Sequence, residues 1–137
     1  MPQAVSPQTA LVYVMVLVAA ADQDMTDQEV ILMSDFIRIL PVFDGYDVDT
    51  VAADAETCVG YLQDEDGLDK VLDVVNEALP PHLGETAYAL ACDIAAADGD
   101  ASQTELRLLE MLRHRLGVGR LPAAAIERGA RARAQTL

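Results

Sequence analysis

One segment of this chain occurs twice. Ala19-Ala20-Ala21-Asp22-Gln23-Asp24-Met25-Thr26-Asp27-Gln28-Glu29 returns as Ala95-Ala96-Ala97-Asp98-Gly99-Asp100-Ala101-Ser102-Gln103-Thr104-Glu105, so that position 22 maps onto position 98, an offset of 76. Each copy follows one apolar helical run and precedes another. The organising unit is therefore a helix, an acidic turn and a second helix, and self-similarity of this kind constrains a fold before any other signal. Two copies make an internal duplication inside one domain, not a solenoid. The matched positions include polar ones (Asp, Asp, Ser or Thr, and Glu), which are the places where a function would sit.

The 137 residues suit a single domain, residues 1–137, with one substantial core. A hydrophobic content of 52% against 23% charged residues argues for a folded globule. Trp is absent and aromatics make up 4%, so Ala, Val, Leu, Ile and Met must build the core, a palette that favours close helix packing. Ser6-Pro7 supplies a cap and a first-turn proline, predicting a helix from about 7 to 22. A second helix starts at Thr26 and stops before Pro41, and the stretch from Pro41 to Asp47 is a turn containing Asp44-Gly45. Val48, Val51, Ala52, Ala55, Val59 and Leu62 keep helical 3–4 spacing, as do Leu68, Val71, Leu72, Val75 and Leu79 up to Pro80-Pro81. The second copy predicts helices from about 83 to 98 and from Ser102 to Leu116, after which Gly117 and Gly119 break the pattern. Leu121-Pro122 opens a last Ala- and Arg-rich helix within 121–137, expected to fray at its C-terminal end. No stretch alternates with the period of a strand. The fold class is all-α, with about seven helices.

The net charge of −14 is unevenly distributed. Residues 1–106 hold 21 acids against Arg38 and Lys70, whereas residues 107–137 hold seven Arg against Glu110 and Glu127. An acidic body repels phosphate backbones, which disfavours nucleic acid as a partner. The C-terminal arginines could meet acidic lipid, RNA or the acidic body itself, and self-neutralisation is the plainer reading. Cys58 and Cys92 sit in helical patterns without metal-like spacing and read as buried free thiols in a reducing compartment. The apolar run Ala10–Ala21 spans about 12 residues where a bilayer needs about 20, and no basic segment precedes it as in a signal peptide. The expectation is a cytoplasmic chain with no membrane span.

Both turns read Asp-x-Asp-x-Ser/Thr-x-x-Glu. Part of the pattern is structural: Thr26 to Glu29 and Ser102 to Glu105 are capping boxes, and Gly99 suits a helix-ending left-handed residue. The aspartates are harder to dismiss. Asp22 and Asp98 are predicted on the last turn of the preceding helix, where a negative charge opposes the dipole. Two carboxylates so close raise each other's pKa or recruit a cation, and the order of oxygen donors resembles that of calcium loops. An EF-hand, however, needs Gly at its sixth position and Glu at its twelfth; here Asp27 or Gln103 stands sixth and the Glu falls eighth, so this is not an EF-hand. Capping with solvated acids and divalent-metal binding both remain open for one turn alone. A pseudo-twofold fold would pool Asp22, Asp24, Glu29, Asp98, Asp100 and Glu105 and favour metal. Asp93 is either a further ligand or, more plainly, solvent-facing. His82 reads as a surface helix-start residue and His114 as a complement to its helix dipole. No phosphate loop, nucleophile elbow or Cys/His cluster supports an enzyme.

At these residues the chain resembles the TerB family of tellurite-resistance proteins, to which the N-terminal region of the DjlA-type co-chaperones is related. Leu11–Ala21 leads into Asp22-Gln23-Asp24 with Glu29, and Ala87–Ala97 leads into Asp98-Gly99-Asp100 with Glu105. The resemblance spans roughly residues 6–118, and Gln23 stands where Gly is more usual. It implies an all-helical domain with an acidic surface that binds divalent metal. It also implies a role in resistance to tellurite and other chemical stress within membrane-linked complexes of Ter-type proteins. The two isolated cysteines make no reductase centre. The resulting expectation is a Ca²⁺- or Mg²⁺-binding module with no enzymatic activity. The alternative is a metal-free interaction module using its acidic face or an apolar groove, and a carboxylate–metal hydrolase ranks third.

Overall fold

A computed structural model describes residues 4–21, 25–97 and 101–137. Its described residues form seven α-helices and no strand: α1 Pro7–Ala19, α2 Asp27–Ile39, α3 Val51–Leu62, α4 Gly67–Ala78, α5 Gly84–Ala96, α6 Gln103–Arg115 and α7 Arg120–Arg133. Short 3-10 turns at Pro41–Phe43, Val48–Thr50 and Pro81–Leu83 connect them. The two segments predicted to be helical up to 22 and 98 end earlier, at Ala19 and Ala96.

The apolar run of α1 explains the centre of the molecule. Every residue from Ala10 to Ala19 is buried, as expected of a helix that is hydrophobic all round. It packs chiefly against α3, α5 and α4. Its length reflects enclosure by other helices, and among the described residues no helix is long and apolar enough to cross a membrane. Ser6 caps it by accepting the Thr9 N–H at 3.1 Å, with Pro7 in the first turn. The amphipathic α4 buries Val71, Leu72, Val74 and Val75 on one face. A close approach fixes its start: a Cβ on Gly67 would lie 1.9 Å from the Tyr61 carbonyl oxygen. Gly117, at φ +68°, turns the chain out of α6, and the Val118 N–H returns to the Arg113 carbonyl at 3.0 Å.

One expectation needs correction around α7. This helix packs along α5 and is regular to Arg133, with residues 134–137 outside it. Its last residue is held by Asp93, whose Oδ1 accepts from Arg133 Nη2 at 2.8 Å and Nε at 3.2 Å. Asp93 is thus neither solvent-facing nor an idle acid; its side chain is 14% exposed and ion-paired. Together with the Arg115–Asp73 pair, this contact matches the reading that the C-terminal arginines neutralise the acidic body.

Candidate functional site

The two acidic segments feed helices that open on the same device. Thr26 Oγ1 accepts the Glu29 N–H at 3.2 Å, while Glu29 Oε1 accepts the Thr26 N–H at 2.9 Å and its hydroxyl at 3.0 Å. In the second copy Ser102 Oγ accepts the Glu105 N–H at 3.1 Å, and Glu105 Oε1 accepts the Ser102 N–H at 2.9 Å. Both capping boxes predicted from the sequence are therefore complete, and each satisfies backbone donors that a helix N-terminus leaves over. Their burial is not something capping requires. Glu29 is 2% exposed and Glu105 3%, and they are the charged side chains buried among the described residues. Carboxylates taken out of water are costly unless well bonded, so a merely structural cap would serve as well on the surface.

Asp22, Asp24, Asp98 and Asp100, with Gly99, lie outside the described residues. Among the described residues no group of three or more His, Cys, Asp or Glu side chains could hold a metal. A cation site at either turn would thus need those aspartates beside the buried glutamate.

The helices flanking one turn pack against those flanking the other. Leu17 and Ala21, near the end of α1 and just beyond it, share a cleft of about 620 Å³ with Thr104, Arg107, Leu108 and Met111 of α6. Asp93 and Ala97, near the end of α5 and just beyond it, share a cleft of about 370 Å³ with Gln28, Ile31, Leu32 and Asp35 of α2. Six of the lining positions correspond under the shift that relates the two segments (Leu17 to Asp93, Ala21 to Ala97, Gln28 to Thr104, Ile31 to Arg107, Leu32 to Leu108, Asp35 to Met111), whereas Ala20, Met25 and Phe36 have no counterpart in the other cleft. The four helices involved, α1, α2, α5 and α6, each contain 13 residues. The third wall differs: Val59, Leu62 and Leu68 of α3 and α4 close the first cleft, and Ala130, Arg133 and Ala134 close the second.

The remaining chemistry is quiet. Cys58 and Cys92 are free, buried thiols, as expected, and burial pushes each up to about 12. A thiol held protonated at neutral pH is a poor nucleophile. Tyr88 donates to Glu127 Oε2 at 2.6 Å across a third cleft between α5, α6 and α7, and burial followed by that bond raises its pKa. Sequence reasoning missed Asp54, whose Oδ2 accepts from the Tyr46 hydroxyl at 2.6 Å and the Thr9 hydroxyl at 2.9 Å. It ties α3 to α1 and to the loop before it; with Glu56 two residues on, no sequence signal singled it out. His82 lies exposed in the 3-10 turn and His114 lies exposed at the end of α6.

A family model described as tellurite resistance protein TerB matches residues 8–128, and the chain belongs to that family. The match runs past residue 118 into α7. No curated protein and no solved structure matches the chain.

Proposed function

We propose that this TerB-family chain is a divalent-cation module for tellurite and chemical-stress resistance, holding Ca²⁺ or Mg²⁺ through Asp22, Asp24 and Glu29 with Asp98, Asp100 and Glu105. In this reading it is a binding protein and not an enzyme, it works in the cytoplasm, and its partners are other Ter-type proteins at the membrane. The observation that carries it is the pair of buried glutamates, one opening each post-turn helix, each with a carboxylate oxygen fixed by a cap. The donor set suits hard cations, because carboxylate oxygens favour Ca²⁺ and Mg²⁺ over thiophilic metals. The matched clefts support a further reading, that the fold is an internal duplication whose two turns act together.

The test is thermal unfolding of the whole chain after chelation and then with Ca²⁺, Mg²⁺ or Mn²⁺. A cation that binds only the folded state stabilises it by about 2.7 kcal/mol at a hundredfold excess over Kd. The combined Asp22→Asn and Asp98→Asn variant should lose that gain. Unfolding curves that superimpose with and without millimolar cation would remove the metal from this reading.

A further inference from the structure

The cleft between α1, α3, α4 and α6 is apolar and open. Leu17, Leu62 and Leu108 form its floor and walls, and Met25, Val59 and Met111 stand at its mouth with 40%, 37% and 39% of their surfaces exposed. Apolar side chains grouped in one concavity mark a surface built to be covered. Methionine, flexible and polarisable, is suited to accommodating a partner's side chains.

The cleft walled by α2, α5 and α7 holds an acid, Asp93, which Arg133 at the end of α7 neutralises. In the cleft walled by α1, α3, α4 and α6, Leu17 stands at the corresponding position and the acids lie on the rim. Between the lining residues Gln63 and Leu68 run Asp64, Glu65 and Asp66, all exposed, followed by exposed Asp69. One cation, Lys70, is shared by Asp64 and Asp66 at 3.2 and 3.3 Å. Arg107 stands across the cleft, so the rim remains acidic on a chain of net charge −14.

We propose that this cleft docks a basic amphipathic helix of a partner protein. Its apolar stripe would cover Met25, Val59, Leu62 and Met111, and its Lys or Arg residues would face the Asp64–Asp66 rim. Helix-in-groove recognition divides the work in this way, apolar anchors giving affinity and charges giving orientation and rate. The proposal stands apart from the cation reading and is tested in chelator.

The probe is a fluorescent Leu/Lys peptide of about five helical turns, titrated into the full chain by anisotropy. We expect saturable binding that weakens with salt. Met111→Gln combined with Val59→Gln should weaken it about tenfold, as loss of interface anchors does. Leu121→Gln, at an apolar residue 82% exposed away from the cleft, should leave it unchanged. Glu65→Gln with Asp69→Gln should chiefly slow association. Circular dichroism melts establish that each variant folds. Four outcomes overturn the proposal: equal binding of a scrambled peptide of the same composition, tighter binding of a Leu/Glu peptide, unchanged affinity in the cleft variants, or binding to anionic vesicles but not to the peptide.

Discussion

Replacing Thr26 by Ala separates what the first capping box contributes from what its buried glutamate is for. The substitution removes the acceptor of the Glu29 N–H, at 3.2 Å, and the hydroxyl donor to Glu29 Oε1, at 3.0 Å, while the Thr26 N–H keeps its 2.9 Å bond. Loss of an N-cap alone costs about 1 kcal/mol. Withdrawing one donor from a carboxylate that is 2% exposed adds about as much again. The expected loss is about 2 kcal/mol, equivalent to about 6 °C in Tm for a chain of this size. Urea unfolding in chelator, followed by far-UV circular dichroism, measures it. Glu29→Gln is the companion. It keeps an acceptor for both Thr26 donors and removes the buried charge, so stability in chelator should change by less than about 1 kcal/mol. If the carboxylate is a cation ligand, the same variant should also lose most of the stabilisation by Ca²⁺ or Mg²⁺. A cost below about 0.5 kcal/mol for Thr26→Ala would refute the reasoning, because the bonds described would then not be what holds Glu29 in place.

Asp24→Asn and Asp100→Asn should each lower cation-dependent stability, with a coupling between them that disappears in chelator; additivity under both conditions would mean two independent turns. Raising pH should destabilise the fold from about pH 9 upward. Cys58 and Cys92, held near 12 in the fold against an ordinary value of 9.0, stay protonated there while the unfolded thiols ionise. The native state then binds more protons, so stability falls by about 1.4 kcal/mol per pH unit for each thiol until the folded pKa is reached. Stability is unaffected by these groups below the unfolded pKa, and Cys58→Ser should halve the slope between about pH 9 and 10, above which Tyr13, Tyr46 and Tyr88, also raised by burial, add to it. Arg133→Ala should cost about 1 kcal/mol in urea unfolding, the size expected for a partly exposed ion pair. Gly67→Ala should cost about 1–3 kcal/mol, as its Cβ would meet a backbone oxygen that can move only with α3.

Much of the helical order was legible because it is local. Thr26 and Ser102 with Glu three residues on, Pro7 after Ser6, and Gly117 just past the Leu116 that caps α6 are signals that act within one turn of backbone. They located the helix starts to within a residue or two. The burial of Glu29 and Glu105 was not legible, because a capping box reads the same in water as beneath neighbouring helices. Asp93 was misread for a related reason. Its helical position indicates a face, but whether that face meets water depends on α7, which arrives 40 residues later in the chain to place Arg133 on it.

The two matched clefts show where such reading runs out. Shifted by the repeat, the sequence pairs the capping residues like with like: Thr26 with Ser102, and Glu29 with Glu105. The same shift pairs Leu17 with Asp93, Met111 with Asp35 and Arg107 with Ile31, so the cleft walls differ in chemistry at matched sequence positions. Capping is settled within one turn by the Ser or Thr and Glu side chains that both segments share. A wall residue answers instead to whatever covers it. Asp93 has a guanidinium from the chain's own last helix, and an aspartate is stable there. Leu17 and Met111 instead face an apolar wall, Val59, Leu62 and Leu68 of α3 and α4. The second cleft is thus acidic where the molecule supplies its own cation. The first is apolar, with Arg107 in its lining and its acids on the rim, and the docking proposed above would set a partner's cations against those acids.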